Sequence, residues 1–278
     1  MTKPVVPMLP DWRSVVLPGQ VAKAQTMLMA TEQQLLFGLM RDHFCNFGHV
    51  VDGGCFLGGS TLAIANGLLA NPLWQRDRRT SVIHSYDLFV VEPWTIGIYF
   101  PAGTPLDTSF EPIYRKNIAD VAHVVDVHCG DVTKSGPSPR PIELLFIDCA
   151  KHWTVNDYMV RSFFPHLVAG HSIVIQQDYL YPTHTGWLPV TMEYFSEYFE
   201  IVDHTELNSV AFLYRKKIPP EKLDFDLIQS LPTAEIRRLA DAAITRFPGH
   251  KQREVLEKSR DHLQEWLAKE DWDALRNS

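Results

Sequence analysis

The sequence is short of the features that would place it in several functional classes. It holds only four cysteines in 278 residues, Cys45, Cys55, Cys129 and Cys149, and no two are spaced C-x-x-C. That excludes zinc ribbons and dithiol redox motifs of short spacing and suits a reducing compartment. No apolar run is long enough to cross a bilayer, and the opening Met1-Thr2-Lys3-Pro4 lacks the apolar stretch of an export signal. A cytoplasmic location and no membrane partner are the expectation. Positive charge is in the minority: 26 Lys and Arg against 33 Asp and Glu give a net charge of −7 with no basic stripe, so nucleic acid is not an expected partner. The dinucleotide fingerprint G-x-G-x-x-G is missing, which argues against a nicotinamide enzyme. No internal repeat or low-complexity segment is visible.

What is present is a 45% hydrophobic chain, enough for one large core, in which short apolar runs alternate with segments of helical period. The organising stretch is His49-Val50-Val51-Asp52-Gly53-Gly54-Cys55-Phe56-Leu57-Gly58-Gly59-Ser60. It reads as a buried strand ending in an acid, a tight glycine loop and a helix start. Glycine lets backbone pass close to a ligand, and a helix start offers free N–H groups. Before it, residues 1–26 are punctuated by proline and read as an arm, and Thr31-Glu32-Gln33-Gln34 reads as a capping box opening a helix through about Phe44. Further strands are expected at 81–87, 124–131, 142–148 and 172–178, with helices near 59–70, 110–121, 154–168 and 187–198. Two closing strands at 199–204 and 209–215 read as an antiparallel hairpin, and charged helices fill 220–278, the last from about 250 to 268.

Strands alternating with helices predict an α/β, Rossmann-like fold: a seven-stranded, mostly parallel sheet with a closing antiparallel hairpin, helices on both faces and a C-terminal helical extension. The division expected is an arm over 1–30, a main domain over 31–218 and the extension over 219–278. In such sheets ligands sit outside the carboxyl ends of the strands. Asp52, Asp87, Asp131, Asp148 and Asp178 all fall at predicted strand ends. Singly, each also suits a helix cap. Crowded carboxylates repel unless a cation or ligand neutralises them, so this edge is the expected site. The aromatic, proline-broken stretch 88–110 is either a substrate wall or a crossover packed on its own side chains.

These residues give the chain a resemblance to the class I S-adenosylmethionine-dependent methyltransferases over about residues 30–215. The matching pieces are Asp52-x-Gly54-x-x-x-Gly58-x-Ser60, Asp87, Gly130-Asp131 and Phe146-Ile147-Asp148. The resemblance implies S-adenosylmethionine as cofactor, bound by Asp52, Gly54, Phe56, Gly58, Ser60, Asp87, Asp131 and Asp148. In the family the acid after the second strand holds the ribose and the one after the third faces adenine. Those roles pass to Asp87 and Asp131. The gap from Asp52 to Asp87 is longer than usual in the family. Within it the chain looks closest to metal-dependent O-methyltransferases of the catechol and macrolide-sugar types. Asp148-x-x-Lys151 has the spacing of a metal ligand and general base. Gln177-Asp178 stands where relatives carry an acidic pair. Asp148, Gln177 and Asp178 are thus the implied magnesium ligands, with Lys151 or His152 taking the proton.

The expected activity is methyl transfer to a hydroxyl of a small molecule, a sugar or another secondary metabolite. Rival readings are a metal-dependent oxygenase-like enzyme on the same fold and a non-catalytic cofactor-binding partner protein. A homodimer is one use for the charged C-terminal helices. Tyr179, His184 and Trp187 suit an acceptor pocket as well as ordinary loop and core positions, and Met27 and Met29 a cofactor wall as well as the core. His84 and His128, inside strands, read as core histidines.

Overall fold

A computed structural model describes residues 9, 11–135, 141–223 and 226–268. The first residues of the expected arm, and residues 224, 225 and 269–278 of the expected extension, lie outside the described residues. Seven strands form one sheet: β1 (His49–Gly53), β2 (Ile83–Asp87), β3 (Val125–Cys129), β4 (Ile142–Ile147), β5 (Ile173–Leu180), β6 (Phe199–His204) and β7 (Asn208–Tyr214). Their order is β3-β2-β1-β4-β5-β7-β6. β1 pairs parallel with β2, β2 with β3 and β4 with β5, whereas β7 runs antiparallel to both β5 and β6. This is the Rossmann-like, mostly parallel sheet with a closing hairpin. Among the described residues no helix is long and apolar enough to cross a membrane.

The chain divides into two compact units. One comprises residues 10–46 and 50–135 and holds β1 to β3 with helices α1 (Ala30–Asp42), α2 (Gly59–Ala70) and α3 (Glu111–Asn117). Every residue of α2 from Gly59 to Leu68 is buried, as expected of a helix apolar on all sides. It meets α1 closely at Gly67, where a Cβ would lie 2.5 Å from the Phe37 carbonyl oxygen and 2.7 Å from Met40 Cβ. The buried ring of Trp12 holds the preceding segment on α1 at Gly38.

The start of α1 differs from the sequence expectation. The Ncap is Met29, two residues earlier than Thr31, and Glu32 Oε2 accepts the Met29 N–H at 2.9 Å. Gln34, expected in the capping box, instead donates to the Val15 carbonyl at 2.8 Å. A long-range contact with the N-terminal segment has taken it from the local one.

Among the described residues the other unit comprises residues 9, 47–49, 141–223 and 226–268, with β4 to β7 and helices α4 (Trp153–Phe163), α5 (Trp187–Tyr194), α6 (Thr233–Thr245) and α7 (His250–Ala268). Leu144-Leu145-Phe146 pairs with Ile173-Val174-Ile175, and all six are buried, the unbroken apolar run of a parallel pair covered on both faces. Buried Glu143 accepts the N–H groups of Phe47 and Gly48, each at 3.1 Å, charge-assisted bonds that help offset its desolvation. On the amphipathic helices, Ile236, Leu239, Ala243, Leu256, Leu263 and Leu267 are buried. α7 docks at the start of α5, where a Cβ on Gly186 would lie 2.8 Å from Leu263 Cβ. Along β5 the pairing is irregular: from Gln176 to Leu180 its partner on β7 moves only from Val210 to Asn208. Asp178 in this kink has φ +59°.

Candidate functional site

In the β1–β3 unit, the loop after β1 turns on left-handed residues: Gly54 at φ +89°, Phe56 at +45° and Gly58 at +97°. Gly58 caps α2 and leaves no room for a side chain, since a Cβ would lie 2.9 Å from Ile118 Cγ2. Ser60 and Thr61 follow in the buried first turn.

Asp52, at the carboxyl end of β1, is fully buried. Its Oδ2 accepts from the Thr61 hydroxyl at 2.5 Å and from Ser85 Oγ at 3.4 Å, while Oδ1 has no hydrogen-bond partner among the described residues. Burial pushes its pKa up to about 6, against the pull of bonds from Thr61, Ser60 and Ser85. Tyr114 Oη, from α3, closes the group at 3.2 Å from Thr61 Oγ1. Asp52 therefore ties strand to helix from inside the core. The sequence places it at the right strand end and opens the next helix at Ser60-Thr61, but the gathering of Thr61, Ser85 and Tyr114 around it is not legible there. An apolar helix that begins Ser60-Thr61 just beyond the glycine loop after a strand-end acid is the available signal.

Asp87, at the end of β2, stands differently. Its Oδ2 accepts the Phe56 N–H and its Oδ1 the Phe89 N–H, both at 2.8 Å. Each carboxylate oxygen has two acceptor directions, so one on each remains for a diol. Burial raises its pKa, and the two backbone donors partly offset this. The Phe56 ring meets Tyr99 at 5.0 Å and Phe110 at 5.3 Å, both edge-on. Phe110 N–H in turn bonds the Phe89 carbonyl, and Val91 N–H the Thr108 carbonyl. The 88–110 loop is thus closed at its neck and packed on its own aromatics, with Leu88, Trp94, Ile98 and Leu106 exposed on its outside.

Asp131 follows Gly130, which has φ +118°. Its Oδ1 accepts the N–H and hydroxyl of Thr133 at 2.9 and 2.8 Å, and Lys134 Nζ lies 3.4 Å from Oδ2. Partial burial would raise its pKa, but those bonds and the Lys134 charge outweigh it and hold the carboxyl below its usual range. Asp131 anchors the turn of helix that follows it.

In the β4–β7 unit, four of the expected residues come together. Lys151 Nζ donates to Asp148 Oδ1 at 2.5 Å, to Gln177 Oε1 at 2.6 Å and to Asp178 Oδ2 at 2.5 Å. Desolvation of the ammonium would lower its pKa. The Asp148 and Asp178 carboxylates overcome that and raise it above the ordinary lysine value. Lys151 is therefore a fixed cation in this arrangement, and all three of its donors are used. His152 sits at the Ncap of α4, with Nδ1 2.7 Å from Thr154 Oγ1. Trp187 Nε1 donates to the Ala150 carbonyl at 2.9 Å and fixes the turn between Asp148 and Lys151. Tyr179 and Trp187 are fully buried.

Two carboxylate oxygens and an amide oxygen converging on one point make a donor set that suits magnesium. Lys151 Nζ holds that point, so ammonium and metal are alternatives there rather than neighbours.

No family model and no curated protein matches the chain. Solved structures similar to it include methyltransferases. The SAH-bound methyltransferase PaMTH1 of Podospora anserina is 13% identical, with 72% of this chain and 89% of that chain covered and a TM-score of 0.46. Cofactor-bound Rv0187 from MTB is 16% identical, covering 70% of this chain and 85% of that one with a TM-score of 0.45. CalS11, a TDP-rhamnose 3′-O-methyltransferase of calicheamicin biosynthesis, is 14% identical, covering 66% and 76% with a TM-score of 0.43. At these identities no residue's role passes from one chain to another.

Proposed function

We propose that the protein is an S-adenosylmethionine-dependent O-methyltransferase acting on a hydroxyl of a small molecule. The observation that carries this is Asp87: a strand-end carboxylate steadied by two backbone donors, with acceptor directions left over, beside a loop that turns on left-handed Gly54. That is the equipment for a ribose diol and a cofactor tail. In this reading residues 31–218 are the catalytic domain, with 1–30 as an arm and 219–278 as an extension.

Methyl transfer from a sulfonium requires alignment of the acceptor oxygen and removal of its proton. The Asp148–Gln177–Asp178 set is the place for that. Magnesium bound there would hold and acidify the acceptor hydroxyl. Without it, Asp148 and Asp178 orient the hydroxyl, and Lys151 keeps their charges from repelling. Lys151 takes a proton only after leaving both carboxylates, because its cationic form is favoured while it touches them. His152 is the alternative proton acceptor. The placement of the Lys151 ammonium also favours a second reading, a cofactor-binding partner protein without turnover.

The test has two parts. Calorimetry with S-adenosylhomocysteine should show one site per chain, weakened by Asp87→Ala. Transfer of a labelled methyl group to a panel of hydroxylated sugars and phenols, with magnesium or with chelator, should then give product. Binding without product on any acceptor supports the partner reading, and a folded sample that binds no cofactor overturns both.

A further inference from the structure

Away from the strand ends, β2 and β3 carry a group of side chains that the methyl-transfer reading does not use. Their parallel register sets His84 opposite Asp126 and Tyr86 opposite His128. Side chains alternate along a strand, so these four residues share one face of the sheet. β3 is the edge strand. His84 Nδ1 lies 3.1 Å from His128 Nε2, and Asp126 Oδ2 lies 3.7 Å from the first and 3.6 Å from the second.

We propose that His84, Asp126 and His128 bind a divalent transition-metal ion such as Zn²⁺, with an open position for water. Three observations support this. The first is distance. Zinc–nitrogen bonds of about 2.0–2.1 Å at tetrahedral angles put neighbouring ligand atoms about 3.3 Å apart. The three separations here straddle that value. The second is the place of the carboxylate. A carboxylate bonded to an imidazole N–H sits at about 2.7–2.9 Å from one nitrogen. Asp126 Oδ2 is instead beyond hydrogen-bond length from both nitrogens and nearly equidistant, as the corner of a coordination polyhedron would be. The third is support and access. The Tyr86 ring stacks on His128 with centroids 4.3 Å apart and planes 8° off parallel, which fixes the imidazole. His84 is buried, while the Asp126 side chain is 50% exposed and that of His128 28%, so an ion and its water can enter from solvent.

The donor set gives the class of ion. Two imidazoles and one carboxylate suit zinc or iron; magnesium and calcium take oxygen ligands. Such an ion would clamp the edge strand to its neighbour.

The experiment uses the full chain without a histidine tag, stripped with chelator. Zinc titration by calorimetry should give one ion per chain at about micromolar affinity or better, with no response to magnesium at this site. Cobalt in place of zinc should give the intense visible bands of a low-coordinate ion. Changes outside the ligand set alone cost about 10–100-fold in metal affinity, so Asp126→Asn and His128→Gln should each weaken zinc by about 100-fold or more. Circular dichroism checks that both variants fold, and exposed Asp126 is the safer of the two. Asp148→Asn with Asp178→Asn should leave zinc affinity unchanged, which separates this site from the lysine cluster. Zinc binding equal in Asp126→Asn and the parent, or none tighter than about millimolar in the parent, overturns the proposal.

Discussion

Asp52 holds its proton in the fold to about pH 6. An unfolded aspartate loses it near pH 4. Between those values the folded form carries the extra proton, so stability falls as pH rises, and the penalty is complete above the folded pKa. Asp157, buried in α4 and pushed up to about 7 chiefly by burial, contributes with the same sign. Asp52→Asn removes the first of these titrations. The melting temperature of the variant should fall less steeply than the parent's between about pH 4 and pH 6, and identical slopes would show that Asp52 ionises normally. At Lys151 the expected effect is on metal. Lys151→Met removes the cation from three converged oxygens, so calorimetry should show magnesium binding about tenfold tighter than in the parent. No change would mean that those oxygens do not form a cation site. The strand-end positions of these acids were legible because an apolar run ending in aspartate is a local pattern. Their environments were not, because Thr61 and Ser85 reach Asp52 across 9 and 33 residues of chain, and Tyr114 reaches Thr61 across 53.

At the scale of elements, close approach decides more than propensity does. Gly67 lies in the middle of α2, where glycine costs a helix about 1 kcal/mol relative to alanine. Against that, its missing side chain lets α1 come within reach. Gly67→Ala should therefore destabilise by about 1–3 kcal/mol in urea denaturation, despite the better helix former. A stabilising result would mean that the helices are further apart than described. The start of α1 is a second case. Glu32 is buried and bonds the Met29 N–H, so Glu32→Ala should cost about 1 kcal/mol, while Gln34→Ala should leave helix capping untouched. The sequence motif points two residues too late because both pairs have the same three-residue spacing and threonine is a far commoner Ncap than methionine. Only the contact between Gln34 and Val15, 19 residues away, shows which residue was spoken for.

For the whole molecule, the alternation of apolar runs and helical segments was enough to read the sheet class, its mainly parallel pairing and the closing hairpin. Each rests on periodicity and on connection length, which a single sequence displays. The pairing of His84 with His128 and Asp126 was not readable, since it depends on which strands lie side by side. The pattern Asp126-x-His128 did place two ligand types on one face. A whole-molecule consequence of the cofactor reading can be measured without an acceptor. S-adenosylhomocysteine at about 100 times its dissociation constant should stabilise the fold by about 2.7 kcal/mol and raise the melting temperature. The rise should shrink in Asp87→Ala.

The kink in β5 has one more effect. On a regular strand, consecutive residues point to opposite sides, and Gln177 and Asp178 would be separated by the thickness of the sheet. The left-handed turn at Asp178 breaks that rule for a single step, which is how two successive side chains come to grip the same ammonium. Straightening the backbone there would dismantle the cluster without altering any of its members.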